Sequence, residues 1–369
     1  MKYLIINAVC GIGSTGKICG AIAEACEQEG HEAKIAFGRD STVPDRYRRF
    51  AVRIGSDLDV RLHGIASRLL DNHGFSSAAA TRRFLQWADR YDPDVLWLHN
   101  IHGYYIHIGL LFDWMKKRPN MQVKWTLHDC WSFTGHCSHF DYAGCDRWKT
   151  GCHDCPEKGQ YPASLLLDNS AGNYARKKEL FTGVANMTLI TPSQWLADLV
   201  KQSFLGEYPV TVHYNTIDTN IFKPTPGDFR QKHGLEDKKI ILGVANVWGP
   251  RKGFQDLLTL SGLLDDRFRI VLVGLSPQQV QTLPDNILGI TRTNNATELA
   301  QLYSAADVFV NTTYEDNYPT VNLEARACGC PIICYRTGGC PETLAETDHL
   351  VAKGDIDALK EKILEVKVK

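Results

Sequence analysis

Short apolar runs alternate with helix-length patterns along most of this chain, and the alternation runs through twice. The chain opens with a buried-strand run, Tyr3 to Val9, then a glycine-rich turn and a helical pattern from about Lys17 to Gln28. A second strand run, Ala33 to Phe37, follows. Strand, helix, strand in that order predicts a parallel βαβ unit, because parallel neighbours need a crossover connection and a helix supplies it. Further apolar runs lie at Val95 to Leu98, Val123 to Leu127, Thr188 to Thr191 and Val210 to His213. Helical patterns such as Leu110 to Lys117 and Asn173 to Phe181 separate them. This is the pattern of a doubly wound sheet.

Polar residues and two prolines break the periodicity between Asn215 and Pro226, and it then restarts. Strand runs at Lys239 to Val244, Phe268 to Val273, Asp307 to Asn311 and Ile332 to Tyr335 alternate with helical stretches. Those stretches are Phe254 to Leu264, Ala296 to Ala305 and one opening at Val321. The expectation is an α/β protein of two Rossmann-like domains, 1–214 and 215–369, facing a cleft, and 369 residues suit two domains. No short-period repeat or low-complexity tract is present.

Charge and composition narrow the function. A formal net charge of −1 speaks against a dedicated nucleic-acid binder. Between Arg46 and Arg90, nine arginines face four aspartates. That excess reads either as a solvated face or as a surface for anionic lipid or polyphosphate-bearing acceptors. The opening MKYLIINAV is short for a signal peptide, being interrupted by Gly11 and Gly13, and no stretch has the length of a membrane span. The expected location is therefore cytoplasmic, peripheral to the inner face of a membrane through the 46–90 region. Twelve cysteines in that reducing compartment are not a disulfide framework.

Gly11-Ile12-Gly13-Ser14-Thr15-Gly16 matches G-x-G-x-x-G between a strand and a helix. Glycines let the backbone approach a phosphate, and the helix start offers free N–H groups. The motif reports anion binding rather than chemistry, so an NAD(P)-dependent oxidoreductase is one alternative. The tip of the second strand, Phe37-Gly38-Arg39-Asp40, does not decide between them. In the second half, Tyr314-Glu315-Asp316-Asn317-Tyr318-Pro319-Thr320 forms an acidic loop at a strand end. A helix follows, with Glu324 expected in its first turn. Carboxylates accept bidentate hydrogen bonds from vicinal diols such as a ribose, and loop N–H groups can hold hydroxyls or phosphate. The plainer reading is that Glu324 complements the helix dipole. His99, Asn100 and His102 flank a strand end and read equally as acceptor-side or loop residues.

The segment 130–156 holds a cysteine cluster, with Cys137, Cys145, Cys152 and Cys155 in HCSHFDYAGCDRWKTGCHDCP. Four thiolates at this density suit one structural zinc in a loop that otherwise has little apolar core. Cys130, His136, His139 and His153 are alternative ligands, and a set of free thiols or a redox pair is the competing reading. Cys10, Cys19, Cys26 and Cys334 read as small core residues.

The Glu324-Ala325 helix followed by Ala327-Cys328-Gly329-Cys330-Pro331 and Gly338-Gly339…Glu342 resembles the retaining glycosyltransferases of family four. So do Asn215-Thr216-Ile217-Asp218…Phe222-Lys223-Pro224 and Lys252-Gly253. The Gly-Ser-Thr-Gly turn, His99 to Gly103, His128-Asp129-Cys130-Trp131 and the cysteine cluster resemble its bacterial exopolysaccharide, colanic-acid subgroup. The resemblance implies a GT-B architecture and a nucleotide-diphosphate sugar donor. It also implies a saccharide or lipid-linked acceptor, retention at the anomeric carbon and no catalytic metal. A non-enzymatic carbohydrate-binding scaffold is the remaining alternative. Carried over by position, Glu324 would hold the ribose hydroxyls, and Lys252 would pair with the diphosphate. The peptide groups of Gly13, Ser14, Thr15 and Gly16 would approach the phosphates, and His128 would sit against the donor sugar. Asn317, Tyr318, Pro319 and Thr320 belong to the donor loop.

This sequence departs from the family pattern at three places. Asp316 stands where a second Glu is usual, with Glu315 one residue out of register, and either carboxylate could meet the sugar. Val247 stands where an Arg is usual, leaving Arg251 as its substitute, and Thr216 replaces a Gly. The family's closing helix, which crosses back to the first domain, is expected to be short or missing, since only a few residues follow Leu359 to Val366.

Overall fold

Each half of the chain is built on one parallel sheet. The computed structural model describes residues 1–366, and the chain divides between His213 and Tyr214 into two units. The first unit contains β1 (Lys2–Ile6), β2 (Glu32–Phe37), β3 (Ala51–Arg53), β4 (Val95–Leu98), β5 (Gln122–Thr126), β6 (Met187–Thr191) and β7 (Val210–Val212). Its helices are α1 (Gly13–Gln28), α2 (Asp57–Leu70), α3 (Ala78–Tyr91), α4 (Ile108–Lys116), α5 (Ser170–Phe181) and α6 (Gln194–Gln202). The sheet order is β3-β2-β1-β4-β5-β6-β7, so Leu4 of β1 lies opposite Lys34 on one side and Leu96 on the other.

The second unit has β8 (Lys239–Val244), β9 (Phe268–Val273), β10 (Ile287–Ile290), β11 (Val308–Asn311), β12 (Ile332–Tyr335) and β13 (His349–Val351). Its helices are α7 (Phe229–His233), α8 (Phe254–Leu263), α9 (Pro277–Gln281), α10 (Ala296–Ala305), α11 (Thr320–Ala327) and α12 (Ile356–Glu365). Its order is β10-β9-β8-β11-β12-β13. Every strand pair in both sheets is parallel. Strands buried on both faces read as continuous apolar runs. The short flanking strands β3, β10 and β13 carry weaker runs, and the sequence does not anticipate them.

Packing of α1 against the sheet rests on small residues. Its buried stripe is Gly16, Cys19, Gly20, Ala23 and Cys26, which lets the helix axis approach the strands closely. A Cβ on Gly20 would lie 2.5 Å from the Tyr47 ring. The helix begins at Gly13 and not near Lys17, so the glycine turn is its first turn.

Two surface features differ in detail from the sequence pattern. Of the nine arginines between Arg46 and Arg90, the four at 46–53 are not free, because a carboxylate pairs with each. Arg46 meets Glu24, Arg48 meets Asp45, Arg49 meets Glu27 and Arg53 meets Asp57. Nor does the cysteine-rich loop lack an apolar core. Phe133, Phe140 and Trp148 are buried, with Phe140 and Trp148 stacked 5.0 Å apart, and all three join the main core of the unit.

Asp307, 1% exposed, anchors the start of the second sheet. Its Oδ2 accepts from the Ile240 N–H at 2.7 Å and from Arg230 Nη2 at 2.6 Å. Arg230 also donates to the carbonyls of Ala305, Leu235 and Lys238, so one guanidinium ties α7 to β8 and α10. Asp307→Ala should lower the stability of this unit by about 2–4 kcal/mol, because it strands a buried N–H and removes a charged partner. Asp307→Asn should cost less. Urea unfolding of the two variants is the check, and equal midpoints to the parent would refute the assignment.

Candidate functional site

Ligands of open parallel sheets bind beyond the carboxyl ends of the strands where the strand order reverses, because the loops there leave in opposite directions. In the first unit that reversal lies between β1 and β4. Gly13, Ser14, Thr15 and Gly16 form the opening turn of α1 there, and the N-cap residue Ile12 makes no side-chain capping bond. Gly11 has φ 74°. A Cβ on Gly16 would lie 3.0 Å from Val9 Cγ2 and 3.2 Å from the Gly11 nitrogen, so a side chain there would crowd the turn. Asn7, fully buried, was not anticipated. Its Nδ2 donates to the Val9 carbonyl at 2.8 Å, and its Oδ1 accepts from the Asn100 N–H at 3.3 Å, joining the two loops. The signal was available as a polar residue ending an apolar strand.

Past β4 and β5 the structure gathers imidazoles. His99 is 2% exposed, and its Nδ1 lies 3.0 Å from His128 Nε2, with the rings stacked at 5.3 Å. One of these nitrogens must carry the hydrogen and the other accept it, so the pair shares a single proton. Burial holds His128 down to about 4 and puts His99 well below the ordinary range, each further opposed by a neighbouring histidine. His102 Nε2 is 3.0 Å from Asp129 Oδ2, and its Nδ1 is 3.2 Å from the Tyr161 hydroxyl. Burial opposes the charge on Asp129, but His102 and the Trp131 N–H outweigh it, and the carboxyl sits below its ordinary range. His99, Asn100, His102, His128 and Asp129 line one pocket with Trp125 and Trp131. The neutral His99–His128 pair can donate or accept one hydrogen bond, and His102–Asp129 offers a fixed, charge-assisted partner.

In the second unit the order reverses between β8 and β11. Arg251 and Lys252 follow β8 on a short 3-10 turn, Pro250–Lys252, and the acidic loop follows β11. Backbone contacts fix the two loops together. Thr312 Oγ1 donates to the Lys252 carbonyl at 3.1 Å, and the Tyr314 N–H donates to the Arg251 carbonyl at 2.8 Å. Gly253, with φ 68°, would place a Cβ 2.2 Å from the Thr312 oxygen. Gly338 would place one 1.9 Å from the Asp316 oxygen. Only glycine allows either approach.

Two ion pairs then form. Arg251 pairs with Glu315, whose side chain is 1% exposed, and Lys252 Nζ meets Asp316 Oδ2 at 2.7 Å with side chains 37% and 23% exposed. Glu315 is therefore committed inward, and Asp316 is the carboxylate that solvent or a ligand can reach. Asn317, Tyr318 and Pro319 are buried, and the Tyr318 ring stacks on Tyr214 at 5.2 Å. Glu324 lies in the second turn of α11, which starts at Thr320 and has no acidic residue in its first turn. A dipole-complementing role is excluded by that placement, since the effect fades beyond the first turn. Its Oε2 accepts from the Tyr303 hydroxyl at 3.1 Å, which fixes the carboxylate in one orientation.

Among the described residues, no group of three or more His, Cys, Asp or Glu is placed to hold a metal ion. Cys137 and Cys155 are hydrogen-bonded partners, and the Cys152 Sγ accepts the Gly135 N–H at 3.2 Å. All twelve cysteines are free thiols, and Cys10, Cys19, Cys26 and Cys334 are buried in the cores as expected.

His63 extends the set of buried neutral imidazoles. Its Nε2 accepts the Gly74 N–H at 3.1 Å, its Nδ1 meets Ser77 Oγ at 2.9 Å, and burial lowers it to about 3. Protonation of Nε2 destroys that acceptor. The unfolded chain takes up these protons near pH 6.5, while folded His128 and His63 take them up only near 4 and 3. Their contribution to stability is thus complete above 6.5 and is lost as pH falls through that window. Denaturant unfolding of the first unit between pH 7 and 4 should show this slope, shallower in His63→Gln. A flat profile would reject it.

Comparison with known proteins follows the same division of the chain. Residues 16–221 match the family model of Glycosyltransferase Family 4, and residues 238–367 match that of Glycosyl transferases group 1. One relative, the "Putative colanic acid biosynthesis glycosyl transferase WcaC" of Escherichia coli K12, is 28% identical over 264 residues, 69% of this chain and 63% of that protein. A GDP-mannose-dependent alpha-(1-6)-phosphatidylinositol monomannoside mannosyltransferase of Mycolicibacterium smegmatis is 32% identical over 168 residues, 39% of this chain and 43% of that one. The match thus spans less than two thirds of either relative. Sucrose-phosphate synthase from Thermosynechococcus elongatus superposes with TM-score 0.69 at 17% identity, over 98% of this chain and 88% of that one. Anabaena HepE in complex with UDP gives 0.66 at 16% identity, over 99% and 89%. At such identities the likeness is one of fold, namely two Rossmann-like α/β domains, and nothing among these proteins supports the oxidoreductase alternative. Because the family model covers over half of its length, the chain belongs to Glycosyltransferase Family 4.

Proposed function

We propose that this chain transfers a sugar from a nucleotide-diphosphate donor to a saccharide or lipid-linked acceptor, with retention at the anomeric carbon, in bacterial exopolysaccharide synthesis. The observation that carries the reading is the pairing of Arg251 and Lys252 with Glu315 and Asp316 at the β8–β11 reversal, with Glu324 on the helix that follows this acidic loop. A diphosphate is the ligand that would compete with Asp316 for Lys252. Charge builds on the leaving phosphate during glycosyl transfer, so a cation aimed there stabilises the transition state more than the ground state. Asp316, released from Lys252, would then accept a donor-sugar hydroxyl, and Glu324 would accept the ribose hydroxyls. Lys252, on a loop anchored by the Arg251–Glu315 pair, would supply the neutralisation without a catalytic metal. HepE, whose structure holds UDP, and the colanic-acid relative support a nucleotide-sugar donor and a polysaccharide product. In the first unit, the His99–His128 pair and His102 would face the sugar and the acceptor, and the opening turn of α1 would meet phosphate. Work at the cytoplasmic face is part of the same reading.

Scanning nucleotide sugars for hydrolysis and transfer, with lipid-linked saccharides supplied, tests the proposal. Glu324→Ala should weaken donor binding about 10- to 150-fold, the loss expected for a charged hydrogen bond of about 1.5–3 kcal/mol. Lys252→Ala should lower kcat more than it raises the donor KM. Unchanged donor affinity in the first variant, or unchanged kcat in the second, would remove these roles. Binding of nicotinamide dinucleotide in place of any nucleotide sugar would overturn the reading. The zinc reading of Cys137, Cys145, Cys152 and Cys155 is a separate proposal carried by their spacing. Elemental analysis of protein purified without added metal should find about one zinc per chain, the ratio of one four-ligand site. Four freely titratable thiols and no zinc would retire it.

A further inference from the structure

Helix α2 is turned inside out. The face it buries is His63, Gly64 and Ser67, while the face it presents to solvent is Leu58, Leu62, Ile65 and Leu69. These four recur at helical spacing and so form one stripe. They are 64%, 56%, 51% and 41% exposed, and Leu70 at the end of the helix is 52% exposed. Leucines exposed singly need no explanation, but a contiguous stripe does.

A second apolar segment lies beside the end of this stripe. The Leu165 N–H donates to the Arg68 carbonyl at 2.7 Å, which ties the start of the run Leu165, Leu166 and Leu167 to the last turn of α2. They are 68%, 65% and 52% exposed. Arg61 and Arg68 are exposed on the edge of the stripe and make no ion pair among the described residues. The four arginines of 46–53 are neutralised by carboxylates, whereas Arg61 and Arg68 keep their charge at the border of the leucines.

We propose that the α2 stripe and Leu165–Leu167 form a docking surface for an anionic lipid bilayer, with the leucines seated at the headgroup–acyl boundary and Arg61 and Arg68 on lipid phosphates. Apolar side chains flanked by unpaired cations are the chemistry of an interfacial helix. A second copy of the chain fits less well, because an isologous contact over the stripe would bring two sets of unpaired guanidiniums together. The inference deepens the proposed function, since it supplies the surface on which a lipid-linked acceptor would be met. Its test needs neither donor nor acceptor.

Co-sedimentation of the full chain with vesicles of phosphatidylcholine, with and without 30% phosphatidylglycerol (about a third anionic, a common test composition), separates the outcomes. The protein should pellet with the anionic vesicles. Leu62→Glu combined with Ile65→Glu, and independently Leu166→Glu, should each reduce the bound fraction about tenfold or more. Arg61→Gln with Arg68→Gln should remove the preference for phosphatidylglycerol. All these positions face solvent, so circular dichroism and the unfolding midpoint should match the parent. No binding to either vesicle would overturn the proposal, and so would binding that the leucine variants leave intact. Sedimentation velocity showing a dimer that Leu62→Glu dissolves, without vesicle binding, would assign the surface to a second copy instead. Failure here with normal nucleotide-sugar transfer would leave the transfer reading standing.

Discussion

The pairing of β8 with β11, strands that are far apart in sequence, is the contact on which the candidate site of the second unit depends. It brings the ends of two loops within hydrogen-bonding distance, and the backbone bonds from Thr312 and Tyr314 to Lys252 and Arg251 then fix their register. Gly253 and Gly338 permit the approach, because a side chain at either place would overlap a carbonyl oxygen. The cations are thus aimed by main-chain contacts and not by their own long, flexible side chains. The β1–β4 pairing does the same in the first unit, where Asn7 ties the glycine turn to the loop holding His99 and His102.

Within that frame the two acidic residues of the loop divide their labour by burial. Glu315 is shielded and paired with Arg251, an arrangement whose loss would leave a charge stranded in a poorly hydrated place. Asp316 shares Lys252 at a partly exposed position, where exchanging one partner for another costs little. Two carboxylates that the sequence leaves alike thus differ in the fold, Glu315 turned inward and Asp316 outward. Arg251 acts as the anchor of the loop, while Lys252 is the cation free to change partners.

Much of this was legible beforehand, and the misses share a cause. Strands buried on both faces announce themselves, and β4, β8, β9 and β12 fall where their apolar runs do. Short flanking strands such as β3 and β13 do not, because three residues carry too little pattern. Glu324 was placed one turn early because Thr320, not a capping residue nearer Glu324, opens α11. The sequence of the cysteine loop shows little sign of a core because Phe133, Phe140 and Trp148 are scattered along it and meet only in three dimensions. Arginine pairing across 46–53 was invisible because two of its partners, Glu24 and Glu27, lie on another helix.

The orientation of α2 shows where periodicity alone misleads. Its leucine stripe has the spacing of an ordinary core-facing helix, and reading the spacing alone would turn that stripe inward. Burying four large aliphatic side chains would gain about 6–12 kcal/mol at 1.5–3 kcal/mol each. The face actually buried carries His63, Gly64 and Ser67, and the two hydrogen bonds of His63, with the Gly74 N–H and Ser77 Oγ, contribute about 1 kcal/mol apiece. Folding stability by itself therefore favours the opposite rotation. What holds the helix as it is must be the neighbouring interior, which at this end of the unit is built from imidazoles. His73 packs against His63, His102, Tyr104 and Trp131, and turning the leucines inward would take His63, with its bonds to Gly74 and Ser77, out of that cluster. The polar interior behind the loops of β4 and β5 and the apolar exterior of α2 are thus two sides of one constraint. A unit that lines its pocket with histidine must face its helix toward them with histidine, glycine and serine, and the leucines are left for whatever lies outside.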